Sequence, residues 1–344
     1  MTAKIDAFCH VMPQAYYTRF FELETSQQTA NMRERVAHIP ALVDMDVRFS
    51  QMDEFGDYRQ IINLTVPPVE DLGSPKVSRE MCRIANEAMA ELVRDHPDRF
   101  AGFCASVPMD DPDAAVAELR YAQGELGAVG AQIYTQVHDG PMDDARFDPF
   151  FEAVAQGGRL LQVHPCRSAT WADYRTEARS RYEIWWTFGW EYDLSAFMAR
   201  MVFSGVLERY PGLKMLIHHG GGMVPHFSGR VGPGWDQLGA RTPESQQDDV
   251  KGYPLQRRPI EYFRMMHADT AMFGAAHALR CSIDFYGVDH MLFASDSPYD
   301  PERGPGYIRA TIKNIGEIGL SESEQEAIFA GNVRRLLGPH LVEP

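Results

Sequence analysis

The stretch Ile5-Asp6-Ala7-Phe8-Cys9-His10-Val11-Met12-Pro13 decides how the rest of the chain is read. It is a short apolar run that closes on a histidine and stops at a proline, the pattern of a buried first strand with a polar tip. Alternation along a strand predicts Asp6, Phe8 and His10 on one face, and Ala7 and Cys9 on the other. Three later apolar runs end the same way: 159–164 in His164 before Pro165, 213–219 in His218-His219 before three glycines, and 290–296 in Asp296 before Ser297-Pro298.

Outward from these four, further strands are predicted at 60–66, 100–109, 128–135 and 262–270. Helical spacing falls between them, at about 47–55, 78–95, 112–126, 148–156, 194–206, 273–285, 307–315 and 322–337, with Asp193 as the N-cap of the helix that begins at Leu194. Eight strands alternating with helices predict parallel βα units, and eight such units close into an α/β (β/α)8 TIM barrel. No repeat or linker interrupts them, so residues 1–344 are expected to form one domain. Between Cys166 and Trp190, after strand five, an aromatic-rich insertion breaks the rhythm and holds four of the five tryptophans. Such a cluster suits a lid, an aromatic substrate wall, a subunit contact, or simple packing on its own barrel.

The composition narrows the partners. A formal net charge of −15 argues against nucleic acid and anionic membrane surfaces, both of which repel an acidic protein, but leaves room for a small anionic ligand held by a few arginines. Five scattered cysteines with no CxxC pair suggest reduced thiols rather than a disulfide framework or zinc ribbon. The N-terminus runs straight into a strand, and no apolar run reaches membrane-span length, so a cytoplasmic protein is expected.

A metal-bound water needs several nitrogen or oxygen ligands converging on one point with a position left open. In a barrel the C-terminal tips of distant strands meet at one rim, and His10, His164, His219 and Asp296 are the four polar tips that fit. A lone histidine on an apolar strand is more often a satisfied core residue; four polar tips together favour a site. Alternation sets His218 opposite His219, away from the barrel centre, and gives it a structural role.

On these residues the chain resembles the amidohydrolase superfamily, in the subgroup of α-amino-β-carboxymuconate-ε-semialdehyde (ACMS) decarboxylase and γ-resorcylate decarboxylase. The matching parts are 5–13, 47–53, 163–165, 203–214, 219–230 and 293–298, of which the run from Phe203 to Arg230 is the most diagnostic. The resemblance implies the barrel and one divalent metal, most often zinc and in some members manganese. It would make His10, His164 and Asp296 metal ligands, and His219 the base beside the metal-bound water or a nearby hydrogen-bonding partner. Arg48 would bind a substrate carboxylate, and Arg230 would reach a carboxylate in the neighbouring subunit, implying a homodimer. A structural ion pair is the plain alternative for both arginines.

One position departs from the pattern. The family's first strand carries His-x-His or Glu-x-His, and here the first of these residues is Phe8, whose ring coordinates nothing. Three outcomes stay open: three protein ligands plus water with His219 moved inward, weak metal binding, or a metal-free site. The leading expectation is a metal-dependent, non-oxidative decarboxylase of an aromatic or unsaturated carboxylic acid. A hydrolase or hydratase using the same rim is the second, and a barrel that only binds a ligand is the third.

Overall fold

The computed structural model describes residues 2–24 and 29–344. Eight parallel strands follow one another in chain order around a barrel: β1 Lys4–Val11, β2 Tyr58–Leu64, β3 Phe100–Ser106, β4 Gly130–Tyr134, β5 Leu160–His164, β6 Lys214–Ile217, β7 His267–Asp269 and β8 Met291–Leu292. The seam between β8 and β1 is closed by backbone hydrogen bonds from Ala7 N to Phe293 O (2.7 Å), Asp296 N to Phe8 O (3.2 Å) and His10 N to Ser297 O (2.8 Å). The expected (β/α)8 architecture is therefore present, and its helices pack outside the strands.

The longer helices each bury one side. Along Pro75–Asp95 the buried residues Met81, Cys82, Ala85, Met89 and Val93 recur every three or four positions and cover β1 to β3. Inside the barrel, Ile5, Ile61, Leu160, Leu216 and Leu292 fill the lower end. A polar layer lies above them: Asn63 Nδ2 donates to Gln162 Oε1 and Gln162 Nε2 to Ala7 O, both at 2.6 Å. That layer is the floor on which the rim residues stand.

Three local expectations are corrected. Residues 262–265 belong to a helix, Pro259–Met265, because Pro259 sets its first turn and Tyr262 and Phe263 bury themselves in the core; the seventh strand is only His267–Asp269. Asp193 lies inside the helix Gly189–Phe203, not at its start, and its carboxylate accepts from Thr135 Oγ1 and Cys166 N. In β1 the pairing with β2 slips between Asp6 and Cys9. Three steps along β1 then face two along β2, so Ala7 and Phe8 both turn into the barrel while Asp6 and Cys9 both meet Tyr58 OH. Asp6 thus leaves the face of His10 and fastens the seam, accepting from Tyr58 OH at 2.7 Å and from Ser295 N at 3.1 Å.

Candidate active site and metal centre

The strand tips carrying His10, His164 and Asp296 meet at the C-terminal mouth, and all three side chains are buried. His10 Nε2 stands 3.1 Å from Asp296 Oδ1, and the rings of His10 and His164 are 5.2 Å apart, edge to face. Asp296 is turned into the barrel by a left-handed backbone, φ 62°. Burial alone would raise its carboxyl, but the adjacent imidazoles of His10 and His218 outweigh that and hold it well below the usual carboxylate range.

His218 overturns its expected orientation. Leu216 points into the barrel, so two residues on His218 does too; the strand ends at Ile217, and His219 then adopts φ 52° as the chain turns over the glycines. The turn folds the His219 ring back onto His218, 3.8 Å between centroids, while Phe8 stacks on the opposite face at 3.8 Å and 8°. His218 Nδ1 meets Asp269 Oδ2 at 2.5 Å, and its Nε2 points to Asp296 Oδ1 at 3.4 Å. Burial disfavours its charge, yet the two carboxylates prevail and push it up to about 10.

The imidazoles share a tautomer logic. His164 Nδ1 donates to Pro165 O (2.6 Å) and His219 Nδ1 to Ala271 O (3.1 Å), which leaves each Nε2 unprotonated when the ring is neutral. Burial keeps both rings neutral, His164 well below its ordinary value and His219 down to about 4. One ligand atom each from His10, His164 and His218 lies within 4.8 Å of the others, and the same holds for His218, His219 and Asp296. Both ring nitrogens of His10 and Nε2 of His218 are buried without a well-formed hydrogen bond. Buried imidazole nitrogens left in this state around a carboxylate fit a divalent cation.

The arginines part company. Arg48 is 2% exposed and spends its guanidinium on the fold: Nε donates to Gln60 Oε1 (2.8 Å), and one amino group donates to His10 O (2.8 Å) and Ala41 O (3.0 Å). It holds the backbone beneath a rim residue, while its second amino group is buried without a partner. Arg230 is exposed on the surface, 6.0 Å from the Phe227 ring. The arginine at the mouth is Arg35, exposed and lying over the Tyr299 ring at 4.8 Å.

Two cavities meet here. The narrow one, about 40 Å³, is lined by Arg35, His164, Trp186, Trp190, Asp296 and Tyr299, and has room for about two or three waters or an ion. The wide one, about 530 Å³, contains His219 and Glu191, and Phe273 lines both. Burial pushes the Glu191 carboxyl up to about 8. Trp190 packs edge to face on His164 at 5.4 Å, with Trp185 against it at 5.5 Å, so the aromatic insertion forms a wall of the site. Sequence reasoning missed Arg35, Glu191, Asp269 and the orientation of His218. Asp269 alone carried a usable signal, being one more carboxylate at a strand tip.

Comparison with known proteins agrees with the barrel fold. The chain is 27% identical over 297 residues to 2-amino-3-carboxymuconate-6-semialdehyde decarboxylase of Dictyostelium discoideum, covering 86% of this chain and 77% of that one. It is 29% identical over 300 residues to gamma-resorcylate decarboxylase of a Polaromonas species, covering 85% and 86%. Among solved structures, a Polaromonas dihydroxybenzoic acid decarboxylase with bound manganese and the inhibitor 2-nitroresorcinol superimposes with a TM-score of 0.77 at 25% identity, covering 98% of this chain and 97% of that one. A family model described as amidohydrolase matches residues 5–338, and with strand tips, barrel and relatives in agreement, the chain belongs to the amidohydrolase family.

Proposed function

We propose that this protein is a metal-dependent, non-oxidative decarboxylase, a carboxy-lyase of an aromatic or unsaturated carboxylic acid. The observation that carries the reading is the convergence of three imidazoles and Asp296 beside a rim arginine, in a mouth walled by Trp186 and Trp190. A divalent ion, manganese or zinc, held by His10, His164 and Asp296 would supply a positive charge that binds the substrate's carboxylate or neighbouring hydroxyl. Arg35 would meet the carboxylate from the rim, since a planar guanidinium offers it two charge-assisted hydrogen bonds. The ring of the substrate would lie against Trp190 and Phe273 and extend toward the wide cavity. His219 and Asp296 would manage the proton. It adds to the carbon bearing the carboxylate, the carbon–carbon bond breaks with its electron pair returning to the substrate, and carbon dioxide leaves. One proton is taken up and no water is consumed. The whole chain would act as one cytoplasmic catalytic domain, paired as a homodimer through which Arg230 reaches the neighbouring mouth.

The test is incubation of manganese-loaded protein with a panel of hydroxybenzoates, 2,6-dihydroxybenzoate among them, in water enriched in oxygen-18. Release of carbon dioxide with an unlabelled aromatic product is expected. Label in the product would assign the protein to the hydrolase or hydratase reactions, and inertness toward the whole panel would remove the decarboxylase reading for hydroxybenzoates.

A further inference from the structure

We propose that His218 supplies the metal ligand that Phe8 cannot, so that the centre is built from His10, His164, His218 and Asp296. The inference rests on the metal in the reading above and concerns which side chains hold it.

Phe8 still points into the barrel beside the cluster, 5.6 Å from the His10 ring and 6.1 Å from that of His164, but brings no donor atom. What it does bring is a flat face, on which the His218 ring lies parallel at 3.8 Å. With His219 on the other face, the plane of His218 is clamped. Rotation within that plane is set by Asp269, whose Oδ2 takes Nδ1 while its Oδ1 accepts from Gly220 N (3.2 Å) and Ala271 N (3.1 Å). A carboxylate behind an imidazole is the usual arrangement behind a metal-bound histidine, because it fixes the tautomer and strengthens the nitrogen that faces the ion.

The facing nitrogen is in place. Bonds of about 2.0–2.2 Å to one ion set neighbouring ligand atoms about 3.0–3.5 Å apart. Asp296 Oδ1 stands 3.1 Å from His10 Nε2 and 3.4 Å from His218 Nε2, two edges of such a polyhedron. An imidazolium bridging Asp269 and Asp296 would hold its Nε2–H against Asp296, and a bound cation displaces that proton and takes the same nitrogen. His219 also brings a ligand atom within 4.8 Å of His218 and Asp296, but it opens onto the wide cavity, where proton transfer to a substrate would take place, and the proposal assigns it that task. The ligand lost from β1 would thus be replaced from β6, across the barrel mouth.

The experiment begins with the wild-type protein, so folding of variants is not at issue: crystals grown with manganese, and the ion located by its anomalous scattering. An ion within bonding distance of His218 Nε2 is expected; an ion on His10, His164 and Asp296 but more than 3 Å from that nitrogen overturns the inference while leaving the metal reading intact. No ion in the mouth sinks both. In solution, His218→Ala should weaken manganese binding by at least about tenfold, read by titration and by metal content after dialysis, with circular dichroism confirming the fold. Adding Phe8→His in that background should restore the ion by returning a ligand to β1. Unchanged affinity in a folded His218→Ala protein, or no recovery in the folded double variant, counts against the exchange.

Discussion

Arg48 and Arg35 divide between them two tasks that a guanidinium can perform, and their residue type alone does not say which does which. Arg48 holds the carbonyls of His10 and Ala41 from a fully buried position, so Arg48→Met strands those acceptors and should cost about 3 kcal/mol of unfolding free energy in a urea titration. An unchanged KM in the protein that remains folded would confine Arg48 to the fold, and a raised KM would place its unpartnered amino group on the substrate. Arg35 sits in solvent at the mouth, so Arg35→Ala should leave the urea midpoint unmoved and raise KM about 10- to 100-fold, the loss of one charge-assisted contact. Equal KM values for Arg35→Ala and wild type would remove it from the substrate's path. The contrast was invisible in the sequence because exposure is a property of the folded neighbourhood.

At the scale of elements, the loops that follow the strands carry both the site and its cost. Glu70, in the single 3-10 turn Val69–Leu72 after β2, ties the end of β3 by accepting from Met109 N at 2.8 Å. Burial, reinforced by the nearby carboxylates of Asp110 and Asp71, pushes it from 4.5 up to about 8. The folded protein therefore holds a proton that the unfolded chain releases. Its stabilising effect is complete below about pH 4.5 and is lost as pH rises toward 8. Glu70→Gln keeps the acceptor oxygen and removes the titration, so its melting temperature should fall less than that of wild type between pH 5 and 8. Parallel melting curves for the two proteins would mean that Glu70 ionises normally. The same scale explains the β1 misreading: strict alternation placed Asp6 beside His10, whereas a one-residue slip against β2 moved it to the seam. Whether a strand bulges depends on its partner's register, which a local pattern does not contain.

For the molecule as a whole, Phe188, Tyr182 and Tyr174 stand 63%, 87% and 72% exposed on the aromatic insertion, and Phe227, beside Arg230, is 41% exposed. Of these, Phe188 and Phe227 line one cavity and Phe227 lies beside Arg230, exposed apolar surface that fits a face covered by a second copy. Light scattering should give twice the mass of one chain. If Arg230 acts across that face, mixing Arg230→Ala protein with His219→Ala protein should restore activity that neither has alone, because the mixed dimer contains one intact mouth. A mixture as inactive as its components would confine each site to its own chain. Much of the architecture needed no coordinates. Apolar runs with polar tips, spaced by helical periodicity, sufficed for eight βα units and placed His10, His164 and Asp296 on one rim, because burial of a strand and closure of a parallel sheet follow from local pattern and fixed handedness. What the sequence left open was decided by contacts between distant segments: the slip in β1, the left-handed turn at His219 that stacks it on His218, Asp269 behind His218, and the burial of one arginine and exposure of another. Each depends on which residues meet across the barrel, and no window along a single strand holds that information.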